Sequence, residues 1–120
     1  MSDDFQITSV PAREGVVVLR VSGRIDTRMA SQLLHHCTEV RDAGHNLVLN
    51  LSAVTFIASS GIGALLALTE QFRDGRSHVR FAELSTAVAS VIQLLNLDQF
   101  LSIDATEDTS FSSLAKRNAA

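Results

Sequence analysis

The chain has 120 residues, 46% of them hydrophobic and 19% charged, with a formal net charge of −3. This composition is typical of one globular domain and gives no general reason to bind nucleic acid or an anionic membrane surface. No apolar run approaches the ~20 residues of a membrane-spanning helix. The N-terminus, MSDDFQITSV, lacks the basic region of a secretory signal, and the single cysteine cannot form an internal disulfide. We therefore expect one cytoplasmic domain over residues 1–120.

Two strands begin the chain. The segment Phe5–Val10 alternates weakly between apolar and polar residues, and Pro11 ends or breaks it, as an edge strand allows. Val16–Ser22 is a stronger strand because it is rich in β-branched residues. Ala12–Gly15 is typical of a turn, so the two strands are predicted to form a hairpin.

A helix follows, with Asp26 or Thr27 available as its N-cap. An apolar stripe at i, i+4, i+8 and i+11 indicates its buried face: Met29, Leu33, Cys37 and Val40. Ala43 and Gly44 end this helix, since glycine suits a left-handed C-terminal position.

The next strand is predicted at Leu47–Leu51, and a short connection follows it that ends in Ser59-Ser60-Gly61-Ile62-Gly63. A helix is predicted to begin near Ser60 and to end near Arg73. Backbone N–H groups are unpaired at a helix start, and the helix dipole favours negative charge there. A phosphate is well tolerated at such a place, whether bound as a ligand or attached to a serine.

Simpler roles compete with a phosphate site at this segment. Ser59 or Ser60 is equally an N-cap, and Asp26 is equally a helix cap. Gly61 and Gly63 lack the third glycine and the lysine of phosphate-binding loops, so they more simply let the helix start lie close to its neighbours.

The second half repeats the strand–helix order. A short strand, His78–Ala82, precedes a helix capped by Ser85 or Thr86, with Asn96 as a left-handed end. The apolar face of that helix is Val88, Val91, Ile92 and Leu95.

A last short strand is predicted at Phe100–Ile103, and Asp108 or Thr109 opens a terminal helix with an apolar face of Phe111, Leu114 and Ala115. The order β-β-α-β-α-β-α-β-α predicts an α/β fold. Its mixed sheet is antiparallel at the first hairpin and parallel in the βαβ units.

The remaining candidates for chemistry are weak. His35, His36 and Cys37 are consecutive, so on a helix they point about 100° apart and cannot converge on one metal. No serine has a histidine and an acid placed by a recognisable motif. We expect no enzyme, no catalytic residues, no metal and no cofactor.

Three segments resemble the STAS domain family, and more narrowly the bacterial anti-sigma-factor antagonists. The first is Phe56–Leu66, FIASSGIGALL, which is similar to the typical segment of the antagonists, in which an acidic residue precedes Ser-Ser-Gly-Leu-Gly. The others are Gly23–Asp26, similar to Gly-x-Leu/Ile-Asp, and Leu94–Phe100, near a Gly-Leu segment with Asn96 in place of glycine. The resemblance covers roughly residues 5–115 and implies a STAS-like mixed sheet with about four helices.

This resemblance implies a phosphorylation switch. Such proteins bind an anti-sigma factor that is also a serine kinase and so release a sigma factor; the kinase phosphorylates the first serine of the pair, and a phosphatase restores binding. Carried onto this chain, the phosphoacceptor is Ser59, with Ser60 as runner-up. The resemblance implies partner contacts at Asp26, Ile57, Ala58, Ser59, Ser60, Gly61 and Ile62, and no direct contact with nucleic acid or membrane. Exposed members of the set Ile57, Ile62 and Leu65 would supply an apolar centre.

One residue departs from the family pattern. Ala58 stands where the antagonists usually carry aspartate. Three interpretations remain: a switch served by an ordinary or an atypical kinase, partner binding without reversible phosphorylation, and a small-ligand STAS module that binds a nucleotide or another anion.

Overall fold

The computed structural model describes residues 4–118, with side chains through residue 115. Its elements follow the predicted order: β1 (Gln6–Arg13), β2 (Val16–Ile25), α1 (Thr27–Asp42), β3 (Asn46–Ile57), α2 (Ser59–Asp74), β4 (Val79–Ala82), α3 (Thr86–Leu94), β5 (Ile103–Asp104) and α4 (Glu107–Asn118). The five strands form one sheet in the order β1-β2-β3-β4-β5. β1 is antiparallel to β2 and the other neighbours are parallel, which confirms the predicted fold.

The first hairpin is closed by a two-residue turn. Glu14 and Gly15 have φ values of 52° and 76°, as a turn matched to the strand twist requires. Pro11 was predicted to end or break β1; it does not end the strand, which continues to Arg13, but the regular pairing is broken there. A register shift after Val10 accommodates the proline in this edge strand.

The third strand is much longer than predicted. It continues through the expected short connection to Ile57, because β2 also continues to Ile25 and the two strands remain paired to their ends. Two register shifts, opposite Arg20–Ser22 and Gly23–Arg24 of β2, each place one extra residue in β3 and keep the two strands paired. β3 therefore delivers the chain directly to the start of α2.

Helices cover both faces of the sheet. Alternate β2 residues separate into two cores: Val17, Leu19 and Val21 lie in the core that includes α1, α2 and α3. Val16 and Val18 lie in the smaller core with Leu114 of α4. The predicted helix faces are largely confirmed, with Leu33, Cys37, Val88, Ile92 and Leu114 buried. Leu95 is the exception, exposed as the residue that ends α3.

Several predicted ends are confirmed and two are wrong. Asp26 caps α1 and Ser85 caps α3, and Asn96 has a left-handed φ of 55°. The last strand is Ile103–Asp104, and Phe100 is exposed before it. The terminal helix begins at Glu107, where the Thr106 hydroxyl accepts a hydrogen bond from the backbone N–H of Thr109.

No helix among residues 4–118 is both long and apolar enough to cross a membrane.

A polar clamp holds the start of α4 on the sheet; its residues are Arg20, Asn50, Glu83 and Glu107. Arg20 donates two hydrogen bonds to the Glu107 carboxylate at 3.0 and 2.8 Å, and the Asn50 amide donates a third at 2.9 Å. The backbone N–H of Glu107 donates to Glu83 at 2.9 Å. The Arg20 hydrogen bond, opposed by burial, holds the pKa of Glu107 below its ordinary 4.5.

A second ion pair supports the first turns of α4. Arg80 donates to both oxygens of Asp104 at 2.6 and 3.2 Å, and the fully buried Ser110 hydroxyl donates to the same carboxylate at 2.6 Å. The hydrogen bond from Arg80 is the largest cause that holds the pKa of Asp104 below its ordinary value. Burial acts in the opposite direction, and the Ser110 hydrogen bond lowers the pKa further.

Because folding lowers the pKa of Glu107, the clamp makes the free energy of unfolding depend on pH in the acid range. A carboxyl whose pKa is lowered by folding contributes stability above its unfolded pKa and loses it as pH falls through the folded pKa. Glu107→Gln should therefore reduce the free energy of unfolding by about 1–2 kcal/mol at pH 7 and flatten its fall below about pH 4.5. Urea unfolding at several pH values measures both effects.

Glu70→Gln is the matched control, because its ion pair with Arg73 is exposed on both sides. It should leave the urea midpoint unchanged. An equal loss in the two variants would contradict the role of the clamp.

Candidate functional site

Two helices begin side by side at the carboxyl ends of β2 and β3. Ile25 and Ile57 are paired in the last rung of these strands, and the backbone N–H of Ala58 donates to the Ile25 carbonyl at 2.9 Å. Asp26 and Ala58 follow directly, as the N-caps of α1 and α2. The long β2–β3 pairing thus brings the two family-like motifs into one junction.

The two helix starts are capped differently. The Asp26 carboxylate accepts a hydrogen bond from the backbone N–H of Met29 at 3.0 Å. Ala58 has the extended backbone of an N-cap, with φ −80° and ψ 166°, but its side chain makes no capping hydrogen bond. Its carbonyl accepts from the N–H groups of Gly61 and Ile62. The prediction that Ser59 or Ser60 is the N-cap is therefore wrong, since they are the first two helical residues.

The two serines differ in their surroundings. Ser59 is exposed, whereas Ser60 is half-buried and its Oγ lies 3.1 Å from Oγ1 of Thr27 on α1. That hydroxyl pair links the starts of the two helices. Ser60 is therefore engaged at the junction, whereas Ser59 is open to solvent.

The apolar residues of the motif belong to the core. Ile57, Ile62 and Leu65 are 6%, 4% and 0% exposed and lie in the larger core. None of the three is exposed, so none supplies the apolar centre that was expected of exposed members of this set. Their spacing in the motif does not show whether they are buried or exposed. The structure shows it, because Ile57 lies on the face of the sheet that packs in the larger core.

One glycine of the motif makes a close contact. A Cβ on the buried Gly61 would lie 2.6 Å from Cγ1 of Ile57 and 3.0 Å from Cγ2 of Ile25. Gly63 is exposed, and a Cβ there would meet nothing within 4 Å. The predicted close approach of the helix start is therefore confirmed at Gly61 and wrong at Gly63.

Sequence reasoning missed a neighbouring surface pair. Arg24 and Phe56 are register partners one rung before Ile25 and Ile57, and the Arg24 guanidinium lies 4.2 Å from the centre of the Phe56 ring. Phe56 is 37% exposed. No local sequence signal pairs the two side chains, because their contact depends on the register between β2 and β3.

The described residues show little other chemistry. Within residues 4–118, no group of three or more His, Cys, Asp or Glu residues is placed to hold a metal ion. Cys37 is buried, and burial raises the pKa of its thiol to about 12, so it is an inert core residue. His35 lies 3.5 Å from Glu39 on the exposed side of α1.

The fold and the junction define an α/β domain that presents a serine where a parallel strand enters a helix. A model of the STAS domain family matches residues 8–110. The chain therefore belongs to the STAS domain family.

Solved structures with the same fold include anti-sigma-factor antagonists. A crystal structure of an anti-sigma factor antagonist from Mycobacterium paratuberculosis is 28% identical, with a TM-score of 0.79, over 95% of this chain and 97% of that one. The unphosphorylated antagonist SpoIIAA is 21% identical, with a TM-score of 0.75, over 94% and 97%. The phosphorylated form of Bacillus SpoIIAA is 20% identical, with a TM-score of 0.67, over 92% and 98%. The chain is thus a STAS domain that resembles anti-sigma-factor antagonists.

The two glycines give a matched test of the packing at the junction. Gly61→Ala should destabilise the domain by about 1–3 kcal/mol, because its methyl group overlaps buried, β-branched side chains. Gly63→Ala adds the same methyl group in open space and should stabilise the helix by up to about 1 kcal/mol. Thermal and urea unfolding measure both. Equal effects would contradict the close contact at Gly61.

The uncapped start of α2 gives a second test. Ala58→Asp should raise the free energy of unfolding by about 0.5–2 kcal/mol, because the backbone at position 58 already has the N-cap conformation. Ala58→Asn is the control, since it supplies a capping oxygen without a charge. Urea unfolding would contradict the interpretation if neither variant were more stable than the parent.

Proposed function

We propose that this domain is an anti-sigma-factor antagonist-like module that is switched by phosphorylation of Ser59. The observation that carries the proposal is the exposed Ser59 hydroxyl at the first position of α2, beside the helix start capped by Asp26. The partner is an anti-sigma factor that is also a serine kinase, and a phosphatase reverses the modification. The module itself is not an enzyme and needs no cofactor, and it acts in the cytoplasm.

The position of Ser59 suits a reversible charge. A phosphoserine carries about −1.5 to −2 charge at pH 7. At the first turn of a helix the dipole stabilises such a charge by about 0.3–1 kcal/mol. Ser59 is also exposed, so the phosphate remains hydrated. Phosphorylation therefore leaves the fold intact and changes only the surface.

The same charge disrupts a partner contact. A partner that covers the junction has Ser59 and Asp26 within its contact surface. A phosphate there adds bulk and an unpaired charge that binding would bury, which is costly. The unphosphorylated domain is thus the form that binds and the phosphorylated domain is the form released.

The alanine at position 58 is compatible with this switch. An aspartate there would cap α2, as Asp26 caps α1, so its loss removes a stabilising contact of the helix start. It also removes a negative charge beside the phosphate. On this proposal Ala58 lowers the stability of the helix start and leaves the Ser59 hydroxyl available.

The uncapped helix start also favours a second candidate function, non-covalent binding of an anion or nucleotide. No side chain caps α2, and the first N–H groups of a helix lack partners within it. The two candidates differ in one observable, since only the switch adds a covalent phosphate.

Incubation with ATP and each anti-sigma-type kinase of the source genome tests the switch. Intact mass should show one added phosphate, which Ser59→Ala abolishes and Ser60→Ala retains. Absence of phosphate with every kinase would contradict the switch. A rise in melting temperature with inorganic phosphate or a nucleotide, without a mass change, would favour the anion-binding candidate instead.

A further inference from the structure

A hydroxyl pair distinguishes the second serine of the junction from the first. The Ser60 Oγ lies 3.1 Å from the Thr27 Oγ1, so one of the two hydroxyls donates a hydrogen bond to the other. Ser60 is also half-buried. Ser59 is exposed, and the described chain provides no hydrogen-bond partner for its side chain. The two adjacent serines therefore differ in one contact that a single substitution can remove.

The contact follows from the way in which the two helices begin. Thr27 is the first residue of α1, and Ser60 is the second residue of α2. The hydrogen bond from the Ala58 N–H to the Ile25 carbonyl ties these two starts together. Thr27 follows the family-like segment Gly23–Asp26 and lies outside it. The geometry of the contact is therefore set by the fold, whereas the threonine that makes it is not part of the family-like motif.

We propose that Thr27 is a positioning residue that sets the specificity of the switch, because it holds the Ser60 hydroxyl and so directs phosphorylation to Ser59. In the transfer from ATP, the serine oxygen bonds to the γ-phosphorus, the bond from that phosphorus to ADP breaks, and the serine proton passes to a base of the kinase. The attacking hydroxyl must be free to face both groups. The Ser59 hydroxyl meets this requirement, whereas the Ser60 hydroxyl first has to leave Thr27. The inference rests on the proposed function, since it concerns the serine that the same kinase modifies.

The expected size of the effect is that of one hydrogen bond. Loss of such a bond changes an equilibrium by about three- to tenfold. Removal of the Thr27 hydroxyl should therefore raise the share of phosphate on Ser60 by this factor, while the partial burial of Ser60 still disfavours it. The ratio of the two products is the quantity to measure. A general loss of stability or of kinase affinity lowers both products and leaves their ratio unchanged.

Thr27→Val is the test, because valine keeps the shape of the side chain and removes its hydroxyl. The full chain is incubated with ATP and the anti-sigma-type kinase that modifies the parent, and fragment mass spectrometry locates the phosphate. The share on Ser60 should rise about three- to tenfold. Thr27→Ser keeps the hydroxyl and should retain the parent ratio. An unchanged ratio in Thr27→Val, or equal ratios in the two variants, would overturn the proposal.

Thr38→Val is the matched control. The Thr38 hydroxyl lies 3.1 Å from the Gln71 Oε1, so this variant removes a hydroxyl contact between the same two helices. Thr38 is about 16 Å along α1 from Thr27. The control should therefore leave the ratio of the two products unchanged. A shift as large as that of Thr27→Val would assign the effect to a loosened helix pair and overturn the proposal.

A second measurement needs no kinase. The contact with Thr27 holds the Ser60 side chain in one rotamer, whereas the Ser59 side chain is free to exchange between rotamers. NMR couplings between the α and β protons report this difference in the full chain. Thr27→Val should average the Ser60 couplings, and Thr27→Ser should leave them unaveraged. Averaged Ser60 couplings in the parent would overturn the proposal.

The outcomes separate this inference from the proposed function. If Ser59 is phosphorylated in the parent but Thr27→Val leaves the ratio unchanged, the switch stands and Thr27 has no part in its specificity. If no kinase modifies the parent, the switch and its specificity fail together, although unaveraged couplings still show that Thr27 holds Ser60. If Ser60 carries most of the phosphate in the parent, both the assignment of Ser59 and the role of Thr27 fail.

Discussion

The pairing of β2 with β3 through to their last residues is the constraint on which the rest of this structure depends. The rung of Ile25 and Ile57, followed by the hydrogen bond from Ala58 to the Ile25 carbonyl, brings two helix starts into contact. The motifs at Asp26 and Ser59 are far apart in the chain, and this pairing makes them neighbours. Gly61 is required by the same geometry, because α2 begins directly over the two isoleucine side chains.

The contacts of the polar clamp and the junction proposed as the recognition site lie in different parts of the sheet. The polar clamp of Arg20, Asn50, Glu83 and Glu107 attaches α4 over the middle of β2 and β3, away from the carboxyl ends of these two strands. The clamp contains charges that are paired and partly buried, whereas the junction contains charges and a hydroxyl that are exposed. A change at the exposed junction therefore alters what the surface attracts without removing a contact that holds the fold. On the proposed function, this separation lets the charge at Ser59 change while the contacts of the clamp stay in place.

The sequence predicted much of the fold correctly. The order of elements, the hairpin and the apolar faces of the helices follow from periodicity, which depends on residues within one or two turns of each other. The caps at Asp26 and Ser85 are equally local, since each side chain bonds to an N–H three residues later. The N-cap predictions at Ser59 and Ser60 failed because strand β3 ends six residues later than its apolar run indicates. The cap then falls on Ala58, and Ile57 falls on the buried face.

What the sequence determined by itself was the class of fold, the succession of elements and the presence of a serine pair between a strand and a helix. These properties depend on local spacing and on hydrophobic pattern. Only the tertiary structure decided which serine is free, which apolar residues are hidden, and that Arg24 meets Phe56 beside Ser59. Each of these depends on the register between β2 and β3, including two irregularities in their pairing, each with an extra residue in β3, that no local pattern encodes. The register is set by pairing between distant segments, so it exists only in the folded chain.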